Sequence, residues 1–128
     1  MTRRKILRHI FKFHGIAESL QFAVKGIIYL FLFHRNMRII FIFGAATFIL
    51  GLCFHLEGIQ LVCLSITITM VFMAEIFNTS IEMLMNMFTT KYRTRIKLIK
   101  DIAAAVVLLT CLNALVVGYA LFVKKLFN

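Results

Sequence analysis

The sequence predicts an all-α integral membrane protein, with one surface helix and three spanning helices in a single membrane domain over residues 1–128. Three observations carry this expectation. The chain is 62% apolar, with a mean hydropathy of +0.94, a composition of the membrane class rather than of a soluble core. Three segments approach the roughly 20 apolar residues that a helix needs to cross a bilayer core. The 15 Lys and Arg, against 5 Asp and Glu, gather before and between these segments, as they do in cytoplasmic loops.

In residues 1–33, Ile6, Ile10, Phe13, Ala17, Leu20, Val24 and Ile27 recur at spacings of three and four, while Lys5, Arg8 and Lys12 lie off that line. One apolar stripe with a basic face predicts an amphipathic helix in the membrane interface, drawn to anionic headgroups. No compact apolar region with a small-residue cleavage site follows the basic N-terminus, so no cleaved signal peptide is expected. The first span is expected over about 35–56, with Ile39–Leu56 as its apolar part; the second over 58–87; the third over 101–123. Proline is absent, so nothing forces a kink.

Charge sets the expected topology. Eight Lys and Arg precede residue 39, and Lys91, Arg93, Arg95, Lys97 and Lys100 fill the connection between the second and third spans. Both regions are therefore expected in the cytoplasm, with the turn near Glu57 and Gly58 outside and Lys124 and Lys125 an outnumbered exception. The basic balance reads as a membrane-surface property rather than nucleic-acid binding, because the 14 Phe are spread over all the helices and form no stacking platform. Cys53, Cys63 and Cys111 show no CxxC spacing and are expected as small core residues.

An ionisable group inside a spanning helix is expensive and functional by default. The second span holds two, Glu75 and Glu82. At about 100° per residue, and with Glu75 as zero, Asn78 falls near −60°, Thr79 near +40°, Glu82 near −20° and Asn86 near +20°. All five lie within an arc of about 100° and form one polar stripe. Glu82 and Asn86 lie near the basic loop, whereas Glu75 is about 10 Å deeper. Lys100 and Asp101 open the third span at the same boundary, and His34, Arg35 and Arg38 open the first.

This placement suits phosphoryl transfer to a lipid alcohol. A deep carboxylate accepts the hydroxyl proton, a carboxylate nearer water holds Mg²⁺, a lysine neutralises developing phosphate charge, and amides orient the groups. Two readings compete with it. Glu and Asn side chains also tie membrane helices together, and an intramembrane Glu row also serves ion or proton pathways. The row fills only the cytoplasmic half of the span, since Leu61 to Met73 is apolar apart from small hydroxyls; this argues against a pathway.

The run Ala74-Glu75-Ile76-Phe77-Asn78-Thr79-Ser80-Ile81-Glu82, followed by Lys100-Asp101-Ile102-Ala103-Ala104-Ala105-Val106, resembles the signature of the prokaryotic diacylglycerol kinase and undecaprenol kinase family. Ala23-Val24-Lys25-Gly26 and Arg35-Asn36-Met37-Arg38 resemble that family's amphipathic helix and first-span start, and the likeness covers roughly residues 17–123. The resemblance implies a homotrimer of three-span subunits in the bacterial cytoplasmic membrane, with active sites between neighbours and with ATP and Mg²⁺ as co-substrate and cofactor. It implies Glu75 as general base, Glu82 as metal ligand, and Asn78, Glu82, Lys100 and Asp101 as nucleotide-binding, with Thr79, Asn86 and Arg38 around the substrate.

The chain departs from the family's pattern at two positions. His34 stands where the family usually has a metal-binding Glu, and Asn86 where it has an Asp. Mg²⁺ prefers oxygen, so His34 is a poor replacement ligand, and the site is expected to bind a second metal weakly, to take a softer divalent ion, or to use only the Mg²⁺ that ATP brings. The reading from the residues is thus an ATP-dependent lipid-alcohol kinase; the alternative is a catalytically degenerate member that binds nucleotide or partners. Arg35-Asn36-Met37-Arg38 resembles the undecaprenol branch more than the diacylglycerol branch. Asn113 in the third span is expected to hydrogen-bond another helix, and Ala103, Ala104 and Ala105 to offer a small surface for close approach.

Overall fold

The computed structural model describes residues 15–88 and 93–128, which form helices and, among the described residues, no strand. The expected stripe positions Ile6, Ile10 and Phe13, with Lys5, Arg8, Lys12, His9, His14 and Lys91, lie outside the described residues. Among the described residues four helices are long and apolar enough to cross a membrane: α1 (Ile16–Phe33), α2 (Arg35–Cys53), α3 (Ile59–Asn86) and α4 (Arg93–Gly118), which runs on into a π-helical turn (Tyr119–Val123) and a short α5 (Lys124–Leu126). With every backbone group bonded inside its own helix, such segments suit hydrocarbon. The protein is a membrane protein.

The chain divides into two compact units, one ending at His34 and one starting at Arg35. In the first, α1 begins after Gly15 and ends at His34, whose extended backbone breaks the helix while its N–H still donates to Leu30 O. Sequence periodicity assigns this region to the membrane surface. By length and mean hydropathy (1.5) α1 is also able to cross, because its polar residues are few: Glu18, Ser19, Gln21 and Lys25.

In the second unit α3 is the central element, pairing with α2 on one side and more extensively with α4. Gly51 sets the α2–α3 approach: a Cβ there would stand 2.7 Å from Leu64 Cδ2 and 3.2 Å from Leu56 Cδ1. Phe41 and Phe72 meet edge-on one helical stretch away, with centroids 6.1 Å apart. α2 ends in a Schellman motif, in which Leu56 N–H donates to Gly51 O, His55 N–H donates to Leu52 O, and His55 takes the left-handed conformation (φ 54°). Leu56, packed over Gly51, supplies the apolar contact that accompanies this motif. Gly58 then opens α3 at φ 55°, ψ −124°, a backbone state that a Cβ disfavours.

The far end of α4 is fastened to the same turn. The π-helical turn carries Phe122 edge-on against Phe54, with centroids 5.5 Å apart, and Lys125 Nζ donates to His55 O at 2.9 Å.

Little of this unit is buried within the chain: Met37, Gly51, Leu56, Leu64 and Ala74, with the polar Thr67, Glu75 and Thr79. Cys53 and Cys63 are exposed and Cys111 is half-buried, all three as free thiols, which corrects their expected place in a core. In a bilayer an apolar residue gains little from burial in protein, because lipid tails are as apolar as its neighbours would be.

Candidate active site

α3 runs without interruption from Ile59 to Asn86, so the polar stripe keeps its helical register over its whole length. Thr67, Thr69 and Ser80 turn their hydroxyls onto the carbonyls of Cys63, Ser65 and Ile76. These small polar residues are thereby satisfied within the helix and add no demand for a partner. The larger polar groups of the stripe remain.

Burial grades them along the helix. Glu75 is only 4% exposed and Thr79 3%; Asn78 is half-buried, and Glu82 and Asn86 are exposed. Of the five acidic residues Glu75 alone is buried, since Glu18, Glu57, Glu82 and Asp101 are all exposed. Two carboxylates on one face, two turns apart, thus occupy different environments: one enclosed by protein and one open at the helix end.

The Asn86 end is joined to α4 by side chains. Lys100 Nζ donates to Asn86 Oδ1 at 2.6 Å, and Lys97 Nζ pairs with Asp101 Oδ2 at 3.0 Å. Lys100 and Asp101, adjacent in sequence, therefore engage different partners: Lys100 reaches across to the stripe, while Asp101 is held within its own helix. Lys97, which sequence reasoning treats only as topological charge, is the residue that holds Asp101. Its signal was the four-residue spacing from Asp101, at which side chains on a helix meet.

Arg38 is exposed on the first turn of α2. His34 belongs to the first unit, half-buried beyond the end of α1 with its ring 6.0 Å from that of Tyr29. Among the described residues no three of His, Cys, Asp and Glu stand together as a metal cage. Mg²⁺ usually needs only one or two carboxylates, with phosphate oxygens and water completing its shell. The exposed carboxylate of Glu82 fits that arrangement; the imidazole of His34 does not.

The family model described as prokaryotic diacylglycerol kinase matches residues 21–122. A diacylglycerol kinase of Synechocystis sp. is 32% identical over 115 residues, which is 89% of this chain and 66% of that relative, so the chain spans just under two thirds of the relative's length. No solved structure matches the chain. The match takes in α2 and α3 entirely and α4 to its end, with Glu75, Glu82 and Lys100 all inside it, and on that coverage the chain belongs to the prokaryotic diacylglycerol kinase family.

Proposed function

We propose that the chain transfers the γ-phosphoryl group of ATP to the hydroxyl of a membrane lipid alcohol, diacylglycerol or undecaprenol, at the cytoplasmic face of a bacterial inner membrane. The observation that carries this is the graded pair on α3: a buried carboxylate, Glu75, in line with an exposed one, Glu82, ending at an amide held by a lysine. Family membership supports lipid phosphorylation as the reaction class.

In this reading Glu75 accepts the proton of the lipid hydroxyl from within a water-poor site, where a positioned base is most effective. Glu82 holds Mg²⁺, which when bound neutralises phosphate charge. Asn78 and Asp101 orient the nucleotide, and Lys100 faces the transferred phosphoryl group, where a fixed cation stabilises the charge that develops. Thr79, Asn86 and Arg38 surround the substrates. The N-terminus and the loop before α4 face the cytosol, in keeping with their lysines and arginines; α1 lies in the interface.

A homotrimer completes the reading. Asn113 is exposed in the middle of α4, so an interhelical hydrogen bond from it goes to another chain, and exposed Ala104 and Ala105 offer a close-packing surface.

The test is transfer of label from ATP to diacylglycerol or undecaprenol in bilayers, over several divalent metals. Wild-type protein should label a lipid and Glu75→Gln should not. Absence of labelling with every lipid and metal sinks the kinase reading. The imidazole of His34, where Mg²⁺ prefers oxygen, favours one alternative, a member that binds nucleotide without transfer. That alternative requires His34→Glu combined with Asn86→Asp to create transfer where the wild type has none.

A further inference from the structure

A half-open cavity of about 620 Å³ lies between α2 and α4 with α3 as its floor, within the size range of small-molecule sites. Phe43 and Thr47 line it from α2, Thr67 and Val71 from α3, and Ala114 and Gly118 from α4. Its two threonine hydroxyls are spent, Thr47 donating to Phe43 O at 2.7 Å and Thr67 to Cys63 O at 2.8 Å, and the one further hydroxyl on the lining is the phenol of the exposed Tyr119. Water needs several polar partners to stay in a cavity, so the space suits hydrocarbon.

Its position ties it to the carboxylate row. On α3, with Glu75 as zero, Val71 falls near −40°, Ile68 near +20° and Leu64 near −20°, at about 100° per residue. The floor of the cavity and the row are one continuous face of one helix, apolar up to Val71 and acidic from Glu75, a single turn further on.

We infer that the cavity holds one hydrocarbon chain of the lipid alcohol whose hydroxyl meets Glu75. The inference rests on the kinase reading for the hydroxyl's place, and a chain leaving Glu75 toward the membrane interior runs along Val71, Ile68 and Leu64. The cavity then selects for chain length: a short chain ends beside Val71, whereas a long one fills the space as far as Gly118 and Leu64.

The experiment uses the full-length protein in phosphatidylcholine bilayers with a lipid alcohol bearing a photoreactive group on its chain, followed by peptide mapping. Labelling of the α3 segment 64–71 and the α4 segment 111–118, competed by unlabelled lipid alcohol, is the expected result. Equal labelling by a phosphatidylcholine probe with the same chain overturns the inference, because ordinary bilayer lipid then occupies the cavity. Crosslinking of Cys111 to a second copy also overturns it. Gly118→Leu adds a side chain where no atom lies within 4 Å of a Cβ, so it narrows the cavity without a clash inside the chain; the preference for long over short acceptors in kcat/KM should fall roughly tenfold. An unchanged preference counts against the inference. Competed labelling in a protein that transfers no phosphate retains the cavity and discards the kinase reading, whereas transfer without labelling does the reverse.

Discussion

Lys100, about two turns into α4, donates a 2.6 Å hydrogen bond to the side-chain oxygen of Asn86, the last residue of α3. A charged donor on a neutral amide leaves the lysine its full positive charge. That suits a cation needed elsewhere, since an ion pair with an acid would have compensated the charge.

Lys100→Met therefore removes the charge while keeping most of the side-chain volume. Transition-state charge stabilisation by one fixed donor is worth about a hundredfold or more in rate, so kcat should fall by that order. Asn86→Leu frees Lys100 but leaves its charge, so KM for ATP should rise by a few-fold while kcat changes by less than about threefold. Steady-state kinetics on both variants separate the roles; equal losses in kcat contradict the assignment.

The Lys97–Asp101 pair is mostly exposed, 79% and 62% at the two side chains. Exposed pairs one turn apart contribute about 0.5 kcal/mol or less, so Lys97→Met should leave the thermal unfolding midpoint in detergent nearly unchanged. Asp101→Asn should be equally silent in unfolding yet lower transfer, because its proposed role is toward nucleotide. A clear drop in midpoint for either variant contradicts this.

The α2–α3 turn offers a stability test far from the stripe. His55 holds a left-handed backbone that costs a residue with a Cβ about 1–2 kcal/mol, though His tolerates it better than most. His55→Gly should raise unfolding stability modestly and His55→Val should lower it by about 1–2 kcal/mol. At Gly51 a side chain meets Leu64 and Leu56, both 2% exposed, so Gly51→Leu should cost about 1–3 kcal/mol or more by overpacking. Equilibrium unfolding in mixed micelles reads both, and a stabilised Gly51→Leu protein contradicts the close approach described here.

How much of this was legible in the sequence depends on which physical signal carried it. The carboxylate stripe was legible because helical periodicity alone puts Glu75, Asn78, Thr79, Glu82 and Asn86 on one face. The partner of Lys100 was not, since the rotation of α4 against α3 decides which side chain of α3 it meets. Cys53 and Cys63 read as core residues because free cysteine is usually buried in water-soluble proteins; a membrane solvent removes that pressure, and both are exposed. The stripe that predicts a surface helix over 1–33 runs from Ile6 through Ile10, Phe13, Ala17, Leu20 and Val24 to Ile27, but its basic face, Lys5, Arg8 and Lys12, lies wholly before residue 15, and Ile16–Phe33 by itself is apolar enough to cross. The cavity had no sequence signal, because small residues such as Gly44, Ala114 and Gly118 make space only when three helices converge.

Glu75 gives the sharpest separation of function from stability. A carboxylate 4% exposed inside a spanning helix carries a desolvation cost of several kcal/mol unless its surroundings compensate it. Glutamine has the same shape and hydrogen-bonding reach without the charge. If Glu75 were there to hold helices together, Glu75→Gln would weaken the fold or leave it unchanged while sparing activity. If it is the base, the same substitution should abolish phosphoryl transfer and leave unfolding stability equal or higher, the usual exchange at a functional site that is retained against its own stability. Glu82→Gln provides the contrast: its exposed position predicts no gain in stability, and its loss of activity should lessen as Mg²⁺ concentration is raised. Parallel transfer and unfolding measurements on the two variants decide it. An active Glu75→Gln protein removes Glu75 from the chemistry.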